Sequence, residues 1–157
     1  MASPLLELAG HQSEIKIRIL PGVTAALSGA ALLGAPLGHD FAVISRSDRL
    51  TSWTEIQKRL KLTAEAGMPL VLYNPGSHGR KDSLKKACHV LLSVLPDHTP
   101  CGMVRNIGRE GESFELLTLG ELAEKEADMA TTVFIGDHTT QVMGGYLLTP
   151  RGYFQKL

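Results

Sequence analysis

The stretch ILPGVTAALSGAALLGAPLGHDFAVISRSD, residues 19–48, decides how the chain is to be read. An apolar run is halted by Pro21-Gly22, a segment built mostly of Gly, Ala, Ser, Thr and Leu follows, and Phe41-Ala42-Val43-Ile44 then reads as a second strand. Alanine favours a helix over 24–33, so the unit is strand, helix, strand. Small side chains on such a helix let its backbone approach a neighbour closely. That neighbour is either the sheet, in a tight helix-on-sheet crossing, or a flat ligand resting against main chain, and composition leaves both open.

Upstream, residues 14–20 alternate, with Ile15, Ile17 and Ile19 on one side and Lys16 and Arg18 on the other, which predicts a strand with one wet face or an edge strand. Leu5, Leu6 and Leu8 predict a short helical fragment that Gly10 ends. Downstream, Trp53, Ile56, Leu60 and Leu62 give residues 51–66 the pattern of an amphipathic helix, and PLVLY, residues 69–73, is continuous enough to be a strand buried on both faces. A helix over 82–95 carries Leu84, Ala87, Cys88, Leu91, Leu92 and Leu95 on its inner stripe. Residues 101–105, 113–119 and 131–136 read as strands, with a short helix near 119–125. Helices and strands in this order predict an α/β protein with a mostly parallel or mixed sheet.

At 157 residues the chain can bury a core of one compact domain, or one and a fraction. Sixteen basic residues balance sixteen acidic ones, which argues against a partner met by bulk electrostatics, such as duplex nucleic acid or an anionic membrane. Cys88 and Cys101 lie in no CxxC pair and no zinc-like Cys/His spacing occurs, so neither a metal site nor a disulfide is expected, and a reducing cytoplasm fits. No apolar run reaches the roughly 18–20 residues of a membrane span.

Three loops carry candidate chemistry. LYNPGSHGR, residues 72–80, ends a buried strand, where ligands of open α/β sheets sit, although Asn74-Pro75-Gly76 reads equally as a plain turn. VRNIGREGE, residues 104–112, offers forked guanidinium donors on a glycine-bearing backbone, or simply a charged hairpin loop. His39-Asp40 at the start of a strand could transfer a proton, or Asp40 could serve a turn. The other histidines show no metal-ligand spacing, and no GxSxG, P-loop or GxGxxG signature is present.

Together these segments are more specific than any one of them. PGVTAALSGAALLGAPLGHDFAVISRSD, LYNPGSHGR, RNIGREGE and the terminal IGD…TPRGY, in this order and spacing, resemble the tetrapyrrole methylases over essentially the whole chain, and within them the kind that methylates C17 of a corrin precursor. The resemblance implies transfer of a methyl group from S-adenosylmethionine to C17 of precorrin-3B or its cobalt form, with ring contraction, in a cytoplasmic homodimer. By motif position it implies that Thr24, Ala25, Tyr73, Asn74, Asn106 and Ile107 contact the cofactor. Arg46, Lys81, Arg105 and Arg109 are expected at the substrate carboxylates on charge and loop position, and His39, Asp40 and Asp48 are the candidates for proton movements. Family members are longer and carry GxGPG-type and GDPG-type loops that this sequence does not contain. Residues 1–38 are therefore expected to be the last elements of an N-terminal domain and 39–157 a C-terminal domain. Arg46, Arg49, Ser52 and the pair Asp137-His138 depart from the family pattern. Two other outcomes stay open: a folded but inactive fragment or interaction module, and a methylase acting at another carbon of the macrocycle.

Overall fold

The computed structural model of the chain describes residues 2–12, 14–47, 51–76 and 82–153. Five strands form one sheet in the order β2-β3-β6-β4-β5, comprising β2 (Ala42–Ser45), β3 (Leu70–Tyr73), β4 (Pro100–Arg105), β5 (Ser113–Thr118) and β6 (Thr131–Ile135). β2 and β3 are parallel, and β6 runs antiparallel to both of its neighbours, so β4 points the same way as β3. The carboxyl ends of β2, β3 and β4 therefore share one end of the sheet with the loop that precedes β6.

The burial of the sheet on both faces follows from the continuous apolar run at its centre. In β3, Leu70 and Leu72 join one buried cluster and Val71 the other, as the period of two demands of a strand covered on both sides. The first face is covered by α3 (Trp53–Glu65), α4 (Ser83–Leu92) and α5 (Leu119–Ala123), which bury Ile56, Leu60, Leu84, Cys88, Leu91 and Leu122. Ser52 starts α3 by accepting the Glu55 N–H at 3.3 Å, and Thr118 and Glu121 close a reciprocal capping box on α5. Leu62 does not share the inner stripe of α3: two residues beyond Leu60, it lies across the helix and is half exposed.

The second face carries α2 (Ala25–Leu33), which buries Ala26, Gly29, Ala30 and Leu33 at helical spacing over Val71, Val104 and Phe134. Gly102 in β4 makes the room for Leu33; a Cβ there would stand 2.6 Å from Leu33 Cδ1. Beside α2 a small sheet of β1 (Gly34–Ala35), β8 (Tyr146–Leu148) and β7 (Gln141–Met143) completes this layer. These three short strands have no counterpart in the sequence expectation.

Residues 14–20 depart from it as well. No strand forms there, and Ile15 and Ile19 are exposed, because none of the described strands lies alongside to receive their backbone hydrogen bonds. The helix before them, α1 (Ala2–Ala9), forms as expected but buries none of its residues.

Candidate functional site

Five segments meet at the carboxyl ends of β2, β3 and β4: the turn into α2, residues 45–47, the Asn74–Gly76 turn, the loop 106–112 and the loop before β6. The Tyr73 hydroxyl faces the Thr24 hydroxyl within hydrogen-bond range and accepts the Ala26 N–H at 2.7 Å, which joins the first of these to the third. Ile107 packs on the same buried cluster as Tyr73 and comes within reach of Gly29, where a Cβ would stand 3.1 Å from its Cδ1. Ala25, Asn106, Ile107, Arg109, Met129, Ala130 and Thr132 line a cavity of about 170 Å³. Thr24, Ala25, Tyr73, Asn106 and Ile107 thus form one wall, with Asn74 at its edge.

Backbone conformation marks the same place. Asn74 and Asn106, with φ of 53° and 52°, are the only left-handed residues other than glycine among the described ones, and each follows the last residue of a strand in this wall. Asparagine tolerates that conformation better than most residues, and such backbone is found preferentially at functional sites. Asn74 is held by donating from Nδ2 to Ser45 Oγ at 3.2 Å, and Asn106 by donating to the Gly111 carbonyl at 3.3 Å. The rest of the 106–112 loop is braced internally: the Arg109 N–H donates to the Asn106 carbonyl at 2.8 Å, and the Gly108 N–H to Glu112 Oε2 at 2.6 Å. Gly108, with φ of 67°, takes a left-handed turn that a side chain would strain.

The expected arginines separate into three situations. Arg109 is exposed at the rim of the cavity. Arg105 is also exposed, but its Nη2 donates to Asp128 Oδ2 at 2.5 Å. Arg46 is buried rather than surface-borne; it donates from Nη2 to the Ser83 carbonyl at 2.9 Å and to Ser83 Oγ at 2.5 Å, and its guanidinium lies 4.2 Å from the Trp53 ring centroid. That places a departure from the family pattern inside the body of the protein, joining β2 to the start of α4. Lys81 and Asp48 lie outside the described residues.

His39 and Asp40 are not brought to the wall. They precede β2, and the four residues of that strand, about 13 Å long at roughly 3.3 Å per residue, stand between them and the carboxyl end. They line a separate cavity of about 380 Å³ with Gly67, His138 and Arg151 at the opposite end of the sheet. A still larger cavity of about 690 Å³, bordered by Pro96, Leu117 and Val142, also opens at that opposite end. Size alone would therefore point away from the loops that carry the motifs; the convergence of those loops and their strained backbone favour the smaller cavity.

Residues just before β6 and at its start escaped sequence reading as part of the site. Met129, Ala130 and Thr132 border the cavity, and Asp128 organises the turn by accepting from the Ala130 N–H and the Thr131 hydroxyl at 3.0 and 2.7 Å. The Thr131 hydroxyl is the first cause of a lowered Asp128 pKa; burial opposes it, and the Ala130 N–H and Arg105 add to the lowering. The sequence offered only a short polar break there; its position at the wall depends on β6 running antiparallel.

The family model for tetrapyrrole (corrin/porphyrin) methylases matches residues 1–123. The chain belongs to the tetrapyrrole methylases. Among relatives in that family, a probable cobalt-factor III C(17)-methyltransferase from Salmonella typhimurium is 43% identical over 154 residues, 98% of this chain and 64% of the relative. A precorrin-3B C(17)-methyltransferase from Sinorhizobium sp. is 45% identical over 144 residues, 88% of this chain and 57% of the relative. The crystal structure of the methyltransferase CobJ superposes with a TM-score of 0.84 at 32% identity, over 94% of this chain and 62% of that one. The tetrapyrrole methylase described here thus spans less than two-thirds of each of these relatives.

Proposed function

We propose that this chain takes part in S-adenosylmethionine-dependent methylation of C17 of precorrin-3B or a cobalt-containing counterpart, in cobalamin biosynthesis, and that its wall at Thr24, Tyr73, Asn106 and Ile107 holds the cofactor. The observation that carries the reading is the convergence of those four residues from three separate segments, in a chain whose C17-methyltransferase relatives are 43% and 45% identical to it. S-adenosylmethionine supplies the methyl group on a sulfonium. The residues fit it: Ala25, Ile107 and Met129 offer apolar surface to a flat ring, and the internally braced turn at Asn106 holds Ile107 in place beside it.

Methyl transfer from a sulfonium asks little of an acid or base and much of alignment, because holding two reactants in near-attack geometry removes most of the entropic barrier. A braced wall suits that task. Arg109 is the cation best placed at the rim for a substrate carboxylate, and Arg105 would have to release Asp128 to share it. His39 and Asp40, at the far end of the sheet, are set aside as proton carriers in this proposal.

A second reading has its own support. The cavity of about 170 Å³ is small beside the roughly 300–1,000 Å³ of ordinary ligand sites, and α1 buries no residue, as a module made to dock on further structure would show. We propose on the same ground that the division at 38/39 separates an N-terminal-domain segment from a C-terminal domain, with α2 packed across it. Exposed Leu8, Ile19, Leu20 and Val23 support self-association, to be checked by sedimentation. Among the described residues no helix is long and apolar enough to cross a membrane.

Calorimetry with S-adenosylhomocysteine separates the two readings. Micromolar binding by this chain, weakened by Ile107→Asp, would establish the wall as a cofactor site; no heat at millimolar ligand would leave the docking module as the better account.

A further inference from the structure

We propose that Tyr73 is a positioning residue: its phenol caps α2 from the end of the strand beneath it and so fixes where Thr24 and Ala25 stand in the wall. A helix leaves its first four N–H groups without intrahelical partners, and the usual remedy is an N-cap side chain that accepts from the second or third of them. Thr24 has the backbone of an N-cap, with φ of −78° and ψ of 150°, and a hydroxyl suited to the task, yet makes no side-chain capping bond. Its hydroxyl faces that of Tyr73 instead, and the second helical N–H, that of Ala26, donates to the phenolic oxygen at 2.7 Å. The cap is supplied in trans, from a residue 47 positions away in sequence.

The difference matters for the wall. A cap in cis would satisfy the helix equally well but would turn the Thr24 hydroxyl back onto its own backbone. A cap in trans ties the start of α2 to the end of β3, because the Tyr73 ring packs on the buried cluster that holds Ala26, Val71 and Phe134. The turn at Thr24 and Ala25 is thereby registered to the same strand end that presents Asn74. The consequence for cofactor affinity rests on the function proposed above; the positioning itself does not.

Tyr73→Phe keeps the ring and its packing and removes only the hydroxyl. By NMR on the whole chain, the Thr24, Ala25 and Ala26 backbone resonances are expected to move as Thr24 turns to cap its own helix, while the Val71 and Leu72 amides and the urea midpoint stay near those of the parent. S-adenosylhomocysteine affinity is expected to fall about 2- to 10-fold, the worth of one hydrogen bond, and Thr24→Val is expected to add no further loss in the Tyr73→Phe background. Unmoved resonances at 24–26, or affinity losses that multiply, would overturn the proposal. Should Tyr73→Phe fail to fold, Thr24→Val alone must shift the Tyr73 ring resonances, and unmoved ring signals would refute it equally. Resonances that move as described in a chain with no affinity for S-adenosylhomocysteine would remove the functional reading and leave the positioning in place.

Discussion

Gly29→Ala sets two opposed effects against each other, and the structure says which one wins. In the middle of an exposed helix, alanine stabilises by about 1 kcal/mol over glycine. Gly29 is buried, however, and a Cβ there would stand 2.8 and 2.9 Å from Phe134 Cζ and Cε2 and 3.1 Å from Ile107 Cδ1. Phe134 is only 1% exposed and sits in the central strand of the sheet, so its ring has no room to retreat and α2 must lift. Overpacking of this kind costs about 1–3 kcal/mol, leaving a net loss of up to about 2 kcal/mol once the helix preference is deducted. Urea unfolding followed by Trp53 fluorescence measures it, with Ala31→Gly on the exposed side of α2 as the control for propensity alone. Ile107 is expected to be displaced toward the cavity, with weaker S-adenosylhomocysteine binding as the functional trace. A Gly29→Ala variant more stable than the parent, as helix preference alone would make it, would refute the claim that the small residues of α2 are there to seat it on the sheet.

Arg46→Ala is expected to cost about 2–4 kcal/mol, because it removes two buried hydrogen bonds to Ser83 and the stacking on Trp53. Trp53 is the sole tryptophan, so its emission should change in the folded state, and a loss under 1 kcal/mol would show that Arg46 does not join β2 to α4 as described. Asp128 has a lowered pKa in the folded chain, so its stabilising effect is complete above the ordinary value of 3.8 and is lost as pH falls through the lower folded one. Asp128→Asn should accordingly destabilise near pH 7 and converge with the parent in strong acid; a gap that stays constant down to pH 2 would contradict this. Burial pushes the Cys88 thiol up to about 12 and Cys101 higher still, so neither should react with a thiol reagent at pH 8 until the chain unfolds, and stability should decline above pH 9 as the unfolded thiols ionise. Rapid labelling of the native chain would show that this core is open.

Local pattern determined much of this protein. The continuous apolar run of PLVLY, the stripe through Ile56 and Leu60, and the turn chemistry of Asn74 and Asn106 are properties of neighbours in sequence, and they favour strand, helix and turn at these places. The stripe of small residues in α2 was ambiguous because a close approach looks the same whether the neighbour is a ring of Phe134 or a ligand; packing decided for Phe134 along Ala26, Gly29 and Ala30, and left Ala25 to the cavity. Residues 14–20 illustrate the converse, since alternation proposes a strand but only a partner strand completes one. Which residues share the wall depended on strand direction: β6 runs antiparallel, which brings Asp128 and Met129 to the motif loops, while His39 and Asp40 fall at the other end. Direction is a long-range choice, made by hydrogen bonds and buried contacts between segments dozens of residues apart, and no window of neighbouring residues contains it.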